Sequence, residues 1–189
     1  RFGKNREGDS STLKKIGESL GIEVNVVPIL KDKVGRMSSS RIRSALTSGD
    51  LITAKRLLGR SYSFRGLVVK GKGLGKQIGW PTANLEINGR KFLPGLGVYA
   101  AWAKEVDGIK RYPAVMNLGP QPTIDPTSPS AVEVHLLDQD IELVGKELII
   151  EPVKKLRDQK KFSDIYELSK QIGIDADIGR TILMNTGTH

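Results

Sequence analysis

The chain has 189 residues, of which 30 are basic and 21 acidic, so its net charge is +9. Hydrophobic residues make up 38% and charged residues 27%, a balance typical of a folded globular protein and not of a disordered chain. The absence of cysteine excludes disulfides, iron–sulfur clusters and thiolate zinc sites, and the only histidines, His135 and His189, are too few for a multi-histidine metal centre.

The positive charge is concentrated in the first third of the chain. Residues 1–60 hold 13 basic and 6 acidic side chains, whereas residues 61–189 hold 17 and 15. Such an excess points to polyanionic partners, either nucleic acid or phosphorylated small molecules, although a bare charge count by itself favours a solvated basic face. No apolar run approaches the ~20 residues of a membrane helix, so we expect no membrane partner and a cytoplasmic location.

Residues 1–59 are typical of the C-terminal part of an α/β domain. The spacing of apolar residues predicts a helix over 11–20, and the β-branched run 22–30 predicts a strand. A second helical pattern follows three serines, of which Ser38, Ser39 or Ser40 can be the N-cap. Gly49-Asp50 ends this helix and caps a third one over 51–58.

The start of the second helix is also a candidate phosphate site. Its free N–H groups and positive dipole end suit an anion, and three arginines adjoin it, Arg36, Arg41 and Arg43. An ordinary capped surface helix is the alternative, and spacing alone favours that alternative.

Near Gly59 the sequence changes to β-rich segments, so we predict two domains, 1–59 and 60–189. The second is predicted to be a small antiparallel β barrel, with strands over 62–69, 97–106, 112–118, 131–137 and 147–153. Asn88-Gly89 and Asp107-Gly108 are hairpin-type turn pairs. After the strands, Ser163 is the predicted N-cap of a helix that Gly173 interrupts, with a second helical stretch over 176–184. Phe162 and Tyr166 are predicted to be core or hydrophobic-staple residues.

Candidate phosphate- and metal-binding residues are most concentrated between Gly71 and Leu85. It contains four glycines that are interspersed with lysines Lys70, Lys72 and Lys76, namely Gly71, Gly73, Gly75 and Gly79. Successive backbone N–H groups in such a loop can form an anion-binding nest. The pattern is neither a Walker loop nor a dinucleotide fingerprint, and a mobile hairpin is the ordinary alternative. Pro81 then precedes a hydroxyl, Thr82, and a carboxamide, Asn84. Both offer oxygens that Mg²⁺ accepts beside phosphate and water, although a hydrogen-bonded turn explains them as well.

The motifs of this half of the chain resemble those of the riboflavin kinase, or flavokinase, family. Gly71–Leu85 is similar to that family's nucleotide loop and PTAN motif. Four further segments resemble family motifs in the family's order, namely Pro94–Ala100 (PxxGVY), Met116–Ile124 (NxGxxPT), Val132–Asp138 (EvHl) and Leu156–Ile172 (LRxxxxF with its helix). The resemblance covers about residue 60 to the C-terminus and implies a Greek-key barrel with a C-terminal helix.

Residues 1–59 resemble the FMN adenylyltransferase domain that bacteria commonly fuse ahead of this kinase. Arg1–Asp9 is similar to its FGxxRxGD motif. Four residues match its late RxxSSxxIR motif, which implies contacts with ATP phosphates, namely Arg36, Ser39, Ser40 and Arg43. The paired histidines of its upstream nucleotidyl-transfer motif do not occur here. We therefore expect a C-terminal portion of the bifunctional enzyme that does not adenylate FMN alone.

The resemblance implies ATP-dependent phosphorylation of riboflavin to FMN, with ATP, ADP, riboflavin and FMN as ligands and FAD as a ligand of the intact enzyme. Glu133 would be the catalytic base, Thr82 and Asn84 would hold Mg²⁺, and Arg157 would lie near the flavin. The nucleotide-binding set would be Gly71, Gly73, Gly75, Lys76, Gly79, Pro81 and Asn84. Many members carry Arg where this chain has Lys76, which keeps the charge but loses the planar fork.

Two other classes remain as alternatives. A basic nucleic-acid-binding barrel fits the net charge, but the charge lies mostly outside the predicted barrel, and aromatic residues are only 5% of the chain. We therefore expect no nucleic acid partner. A non-catalytic flavin-binding protein would be expected to have lost Thr82, Asn84 or Glu133, and all three are present.

Strand alternation places Glu133 and His135 on the face opposite the apolar residues of their strand.

Overall fold

The computed structural model describes residues 2–71, 73–87, 91–119, 132–139 and 141–186. Lys72, the predicted turn Asn88-Gly89, the end of the segment Met116–Ile124 and His189 lie outside these residues. The helices are α1 Ser10–Ser19, α2 Ser39–Ser48, α3 Leu51–Leu58, α4 Leu74–Gln77 and α5 Ile165–Thr186. The strands are β1 Lys31–Asp32, β2 Gly35–Arg36, β3 Phe64–Val69, β4 Ala83–Glu86, β5 Gly97–Glu105, β6 Arg111–Leu118, β7 Val132–Leu136 and β8 Glu147–Arg157.

The chain forms two compact units, Arg1–Met37 and Ser38–His189. In the first, Asp9 caps α1 by accepting hydrogen bonds from the Ser11 and Thr12 N–H groups at 3.0 Å each. Hydrogen bonds to Asp9, first among them that from the Ser11 hydroxyl, lower its pKa to about 2. The short strands β1 and β2 form an antiparallel hairpin.

The strand predicted over residues 22–30 is wrong, because this segment forms no ladder with another strand. A β-branched run becomes a strand only where a neighbouring strand satisfies its backbone groups. Among the described residues no strand lies against this segment, and the Leu30 carbonyl accepts from the Met37 N–H at 2.9 Å without forming a ladder. Val24 instead packs against α1 at Gly17, where an added Cβ would lie 2.5 Å from a Val24 methyl group.

The second unit is built on a closed barrel with strand order β3-β4-β7-β6-β5-β8, in which all pairs are antiparallel. Strands β5, β6 and β7 follow one another as a meander, and β4 lies beside β7, which is Greek-key connectivity. This confirms the predicted barrel. The runs of apolar residues did not predict β4, and β8 extends four residues beyond its predicted end.

Apolar side chains fill the barrel and also cover part of its outside. Val132, Val134 and Leu136 of β7 belong to the inner core, as the alternation predicts. A second cluster lies between the outer face of the sheet and α5, and it includes Val98, Ala100, Val115, Leu137, Ala176 and Leu183.

In the described part of the chain, none of the helices combines the length and the apolar character that spanning a membrane requires.

Helices α2 and α3 pack onto the barrel and share its core through Ala45, Leu46, Leu51 and Ala54. The Ser38 hydroxyl caps α2, which confirms one of the three predicted capping serines. The division into domains 1–59 and 60–189 stays a prediction, as does the α/β nucleotidyltransferase nature of residues 1–59.

Helix α5 is continuous, so the predicted interruption at Gly173 is wrong. The helix buries Ala176, Gly179 and Leu183 against the barrel, and this packing offsets the low helix propensity of glycine. At Gly173 an added Cβ would lie 3.4 Å from the Trp80 ring, so glycine allows the indole to lie close to the helix.

The start of α5 also differs from the prediction. Asp164, not Ser163, caps the helix, because its carboxylate accepts the N–H groups of Tyr166 and Glu167 at 2.9 Å each. These bonds, that from Glu167 first, lower the pKa of Asp164. Tyr166 is 83% exposed and therefore not a core residue, whereas Phe162 is half-buried.

Replacing Asp50 with Ala is expected to lower the free energy of unfolding by about 1 kcal/mol, because Asp50 caps α3 through the Thr53 N–H at 2.9 Å. That bond lowers the pKa of Asp50. The stabilisation is therefore present above the ordinary carboxyl pKa of about 4 and lost as pH falls through the lowered folded value. Urea unfolding at pH 7 and pH 3 measures this, with Asp50→Asn as a control that caps at both pH values. An equal loss in Asp50→Ala at both pH values would contradict the assignment.

Candidate active site

The register of three strands brings three polar side chains into one row on the outside of the barrel. Asn84 of β4 lies opposite Glu133 of β7, and Glu133 lies opposite Asn117 of β6. All three are half-buried, whereas their strand neighbours Val132 and Val134 are buried inside. A carboxylate therefore lies between two carboxamides on a partly water-excluded surface.

A pocket of about 320 Å³ opens at the Asn84 end of this row. One wall is the segment between β3 and β4, which contributes Gly71, Lys76 and Thr82 among others, and the opposite wall is the connection between β7 and β8, with Gln139 and Glu142. Further lining residues that the sequence predicted are Gly73, Pro81 and Asn84. The structure thus brings most of the predicted nucleotide-binding residues together around one cavity. Glu133, Gly75 and Gly79 are not among its lining residues.

Two positions of the loop lie so close to neighbouring atoms that they leave no room for a side chain. A Cβ at Gly71 would lie 2.0 Å from Nδ2 of Asn84, and one at Gly75 would lie 2.3 Å from the Trp80 carbonyl oxygen and 3.2 Å from Oγ1 of Thr82. The loop contains the single helical turn α4, which begins after Gly73 in the left-handed region and is followed by Gly79 in the same region. Gly71 and Gly75 are therefore packed against the residues 80–84 that follow the loop.

Two aromatic residues link this segment to its surroundings. Nδ1 of His135 lies 2.7 Å from the Pro81 carbonyl oxygen, and the His135 and Trp80 rings meet edge to face with centroids 5.3 Å apart. Nε1 of Trp80 donates to the Ser169 hydroxyl of α5 at 3.0 Å. The start of β4 is therefore connected both to β7 and to α5.

Arg157 makes an ion pair that the sequence did not reveal. Its Nε lies 3.0 Å from both Asp175 carboxylate oxygens and its Nη2 lies 2.8 Å from one of them. Asp175 is 3% exposed and also accepts from Gln171 of α5 at 3.0 Å. Arg157 thus joins β8 to α5, and its predicted place near the flavin stays a prediction.

Sequence reasoning missed Asn117, Gln159 and Asp175. Gln159 donates to the Asn117 side-chain oxygen at 2.7 Å and to the Leu118 carbonyl at 2.8 Å, which fixes one end of the polar row. Asn117 falls within the NxGxxPT-like segment, so the motif could have indicated it. An acidic residue directly before the buried Ala176 was the available signal for Asp175.

The residues predicted to contact adenylyltransferase phosphates are divided between the compact units. Arg36 lies in β2 in the first unit. Ser39, Ser40 and Arg43 lie exposed in the first turns of α2 in the second. Their phosphate-binding role stays a prediction.

A family model described as Flavokinase: Riboflavin kinase matches residues 58–183. The bifunctional riboflavin kinase/FMN adenylyltransferase of Escherichia coli K12 is 38% identical over 177 residues, 93% of this chain and 55% of that protein. The Bacillus subtilis enzyme of the same name is 38% identical over 179 residues, 92% and 55% respectively.

A solved structure named as a macrolide-efflux protein from Streptococcus pneumoniae superposes with a TM-score of 0.80 at 31% identity, covering 95% of this chain and 57% of that one. The chain spans about half the length of each of these relatives.

Proposed function

The chain belongs to the riboflavin kinase family, and we propose that its barrel phosphorylates riboflavin to FMN with ATP. The observation that supports the proposal is the row Asn84–Glu133–Asn117 beside the pocket lined by the glycine-rich loop. Asn84 belongs to both, so the Glu133 carboxylate lies one strand away from a cavity that Lys70 and Lys76 line. Those are the two requirements of phosphoryl transfer to an alcohol, a proton acceptor and a phosphate-binding site.

We propose that the pocket takes the nucleotide phosphates. Gly71 and Gly75 lie against Asn84 and Thr82, so a phosphate held by the loop backbone would also meet their polar atoms. Lys76 lines the same pocket and supplies positive charge. The remaining members of the proposed nucleotide-binding set are Gly73, Gly79 and Pro81.

The donor set also fits Mg²⁺. The described residues contain no cluster of three or more His, Asp or Glu able to hold a metal alone. The oxygens available are the Thr82 hydroxyl and the Asn84 carboxamide, which suits an ion that keeps water and phosphate oxygens as most of its ligands. When bound, Mg²⁺ would neutralise charge on the phosphates. We propose Thr82 and Asn84 as its protein ligands.

We propose that Glu133 accepts the proton of the riboflavin 5′-hydroxyl. The hydroxyl oxygen forms a bond to the γ-phosphorus as the bond from that phosphorus to the bridging oxygen breaks, and ADP leaves. Glu133 is half-buried and flanked by two carboxamides, so its orientation is constrained. Arg157 is already bound by Asp175, and we propose that it serves the flavin side by holding α5 in place.

Formation of FMN tests the proposal. The chain is incubated with riboflavin and ATP, with and without Mg²⁺, and the flavins are separated by chromatography. We expect FMN only when Mg²⁺ is present, and no FAD, because the paired histidines of FMN adenylylation do not occur in these 189 residues. If the folded chain binds riboflavin but forms no FMN, the proposed catalytic function is wrong. FMN formed equally in the presence of a chelator would contradict the role of Mg²⁺.

A further inference from the structure

The hydrogen bond between His135 and Pro81 has only one possible direction. Nδ1 of His135 lies 2.7 Å from the Pro81 carbonyl oxygen, and a carbonyl can only accept. Nδ1 must therefore carry the proton and donate. The side chain is 9% exposed and its ring lies edge-on to Trp80, at an interplanar angle of 80°. The imidazole is therefore held in one orientation.

The bond lies where the β4–β7 ladder ends. Ala83 pairs with Val134 as the first register pair of the two strands. Pro81 has no N–H group, so only its carbonyl can be held from this side. The His135 side chain takes the place of the backbone partner that the ladder no longer provides.

Holding the Pro81 carbonyl also orients Thr82. The Pro81 carbonyl and the Thr82 N–H belong to one planar peptide unit, so the direction of the first determines that of the second. Trp80 is held from the other side by its hydrogen bond to Ser169 of α5. The backbone that leads into Thr82 is thus fixed at two successive residues, one bound to the barrel and one bound to α5.

Resting on the proposed function, we propose that His135 is a positioning residue for phosphoryl transfer. By donating to the Pro81 carbonyl, it orients the Pro81–Thr82 peptide and so directs the Thr82 hydroxyl toward the metal–nucleotide end of the pocket. It acts through Thr82 and contacts neither substrate. Its loss should therefore weaken the use of Mg-ATP and leave the affinity for riboflavin unchanged.

Three substitutions separate the hydrogen bond from the ring. Asn places an amide N–H at the position of Nδ1, Gln places its amide one bond further out, and Phe keeps the ring without a donor. We expect His135→Gln and His135→Phe to raise the KM for ATP at saturating Mg²⁺ by roughly three- to tenfold, the loss of about one hydrogen bond, and His135→Asn to stay within about twofold of wild type.

The same variants are measured for riboflavin affinity by quenching of flavin fluorescence, and for thermal unfolding. Thr82→Ala provides the reference for a damaged metal–nucleotide end. An unchanged KM in His135→Gln, or an equal loss in Asn and Gln, would overturn the positioning role, as would a parallel loss of riboflavin affinity. If His135→Phe does not fold, the comparison of Asn with Gln still decides. A wild-type chain that forms no FMN would overturn the proposed function, whereas active wild type with an unaffected Gln variant overturns only the role of His135.

Discussion

Replacing Glu133 with Gln is expected to lower the rate of FMN formation by about 10²–10⁴-fold, the usual contribution of a general base. Gln has the same shape and can still lie between Asn84 and Asn117 in the row, but it cannot accept the hydroxyl proton. Riboflavin affinity should therefore change little. The measurement is kcat from FMN chromatography together with riboflavin binding by fluorescence.

Glu147→Gln is the matched control for this prediction. Glu147 is also a strand glutamate, but it is exposed at the start of β8, opposite Leu67 and away from the polar row. We expect it to keep wild-type turnover. Near-normal kcat in Glu133→Gln would show that the base assignment is wrong, whereas an equal loss in both variants would point to a general effect of removing negative charge.

Replacing Asp175 with Ala is expected to lower the free energy of unfolding by about 3–5 kcal/mol. Asp175 is buried, and its carboxylate accepts three of its hydrogen bonds from Arg157 and one from Gln171. Without it the half-buried Arg157 guanidinium keeps its charge and its bond to the Asp158 carbonyl but loses the carboxylate that neutralises it. The loss is a large fraction of the 5–15 kcal/mol by which most domains are stable. Urea unfolding followed by circular dichroism measures it.

Two comparisons test the cause of this loss. Asp177 lies two residues further along α5 and also pairs with an arginine, but its side chain is 81% exposed. Asp177→Ala should therefore cost no more than about 1 kcal/mol. The double replacement Arg157→Met with Asp175→Leu should recover much of the stability, because it removes both charges together. If Asp175→Ala unfolds no more easily than Asp177→Ala, the buried pair does not hold α5 to the barrel.

Local signals accounted for the features whose causes lie close together in the chain. Gly49 and Asp50 delimit α2 and α3 because a left-handed residue and a capping carboxylate act within one helical turn. Alternation along β7 predicted which of its residues face the core, and the ordered motifs after residue 60 indicated the family before any contact was known. The predicted strand over residues 22–30 is wrong because a strand needs a partner from elsewhere in the chain. The predicted helix break at Gly173 is wrong because packing on a distant surface stabilises the helix.

By itself the amino-acid sequence determined the class of barrel and most helix ends, and it supplied the residues that we propose bind phosphate and accept a proton. Only the tertiary structure decided which of those residues meet. The row Asn84–Glu133–Asn117 depends on the register of three strands. The bonds from His135 to Pro81 and from Arg157 to Asp175 join residues 54 and 18 positions apart. Such contacts form because closure of the barrel and docking of α5 bury them together, which no local pattern encodes.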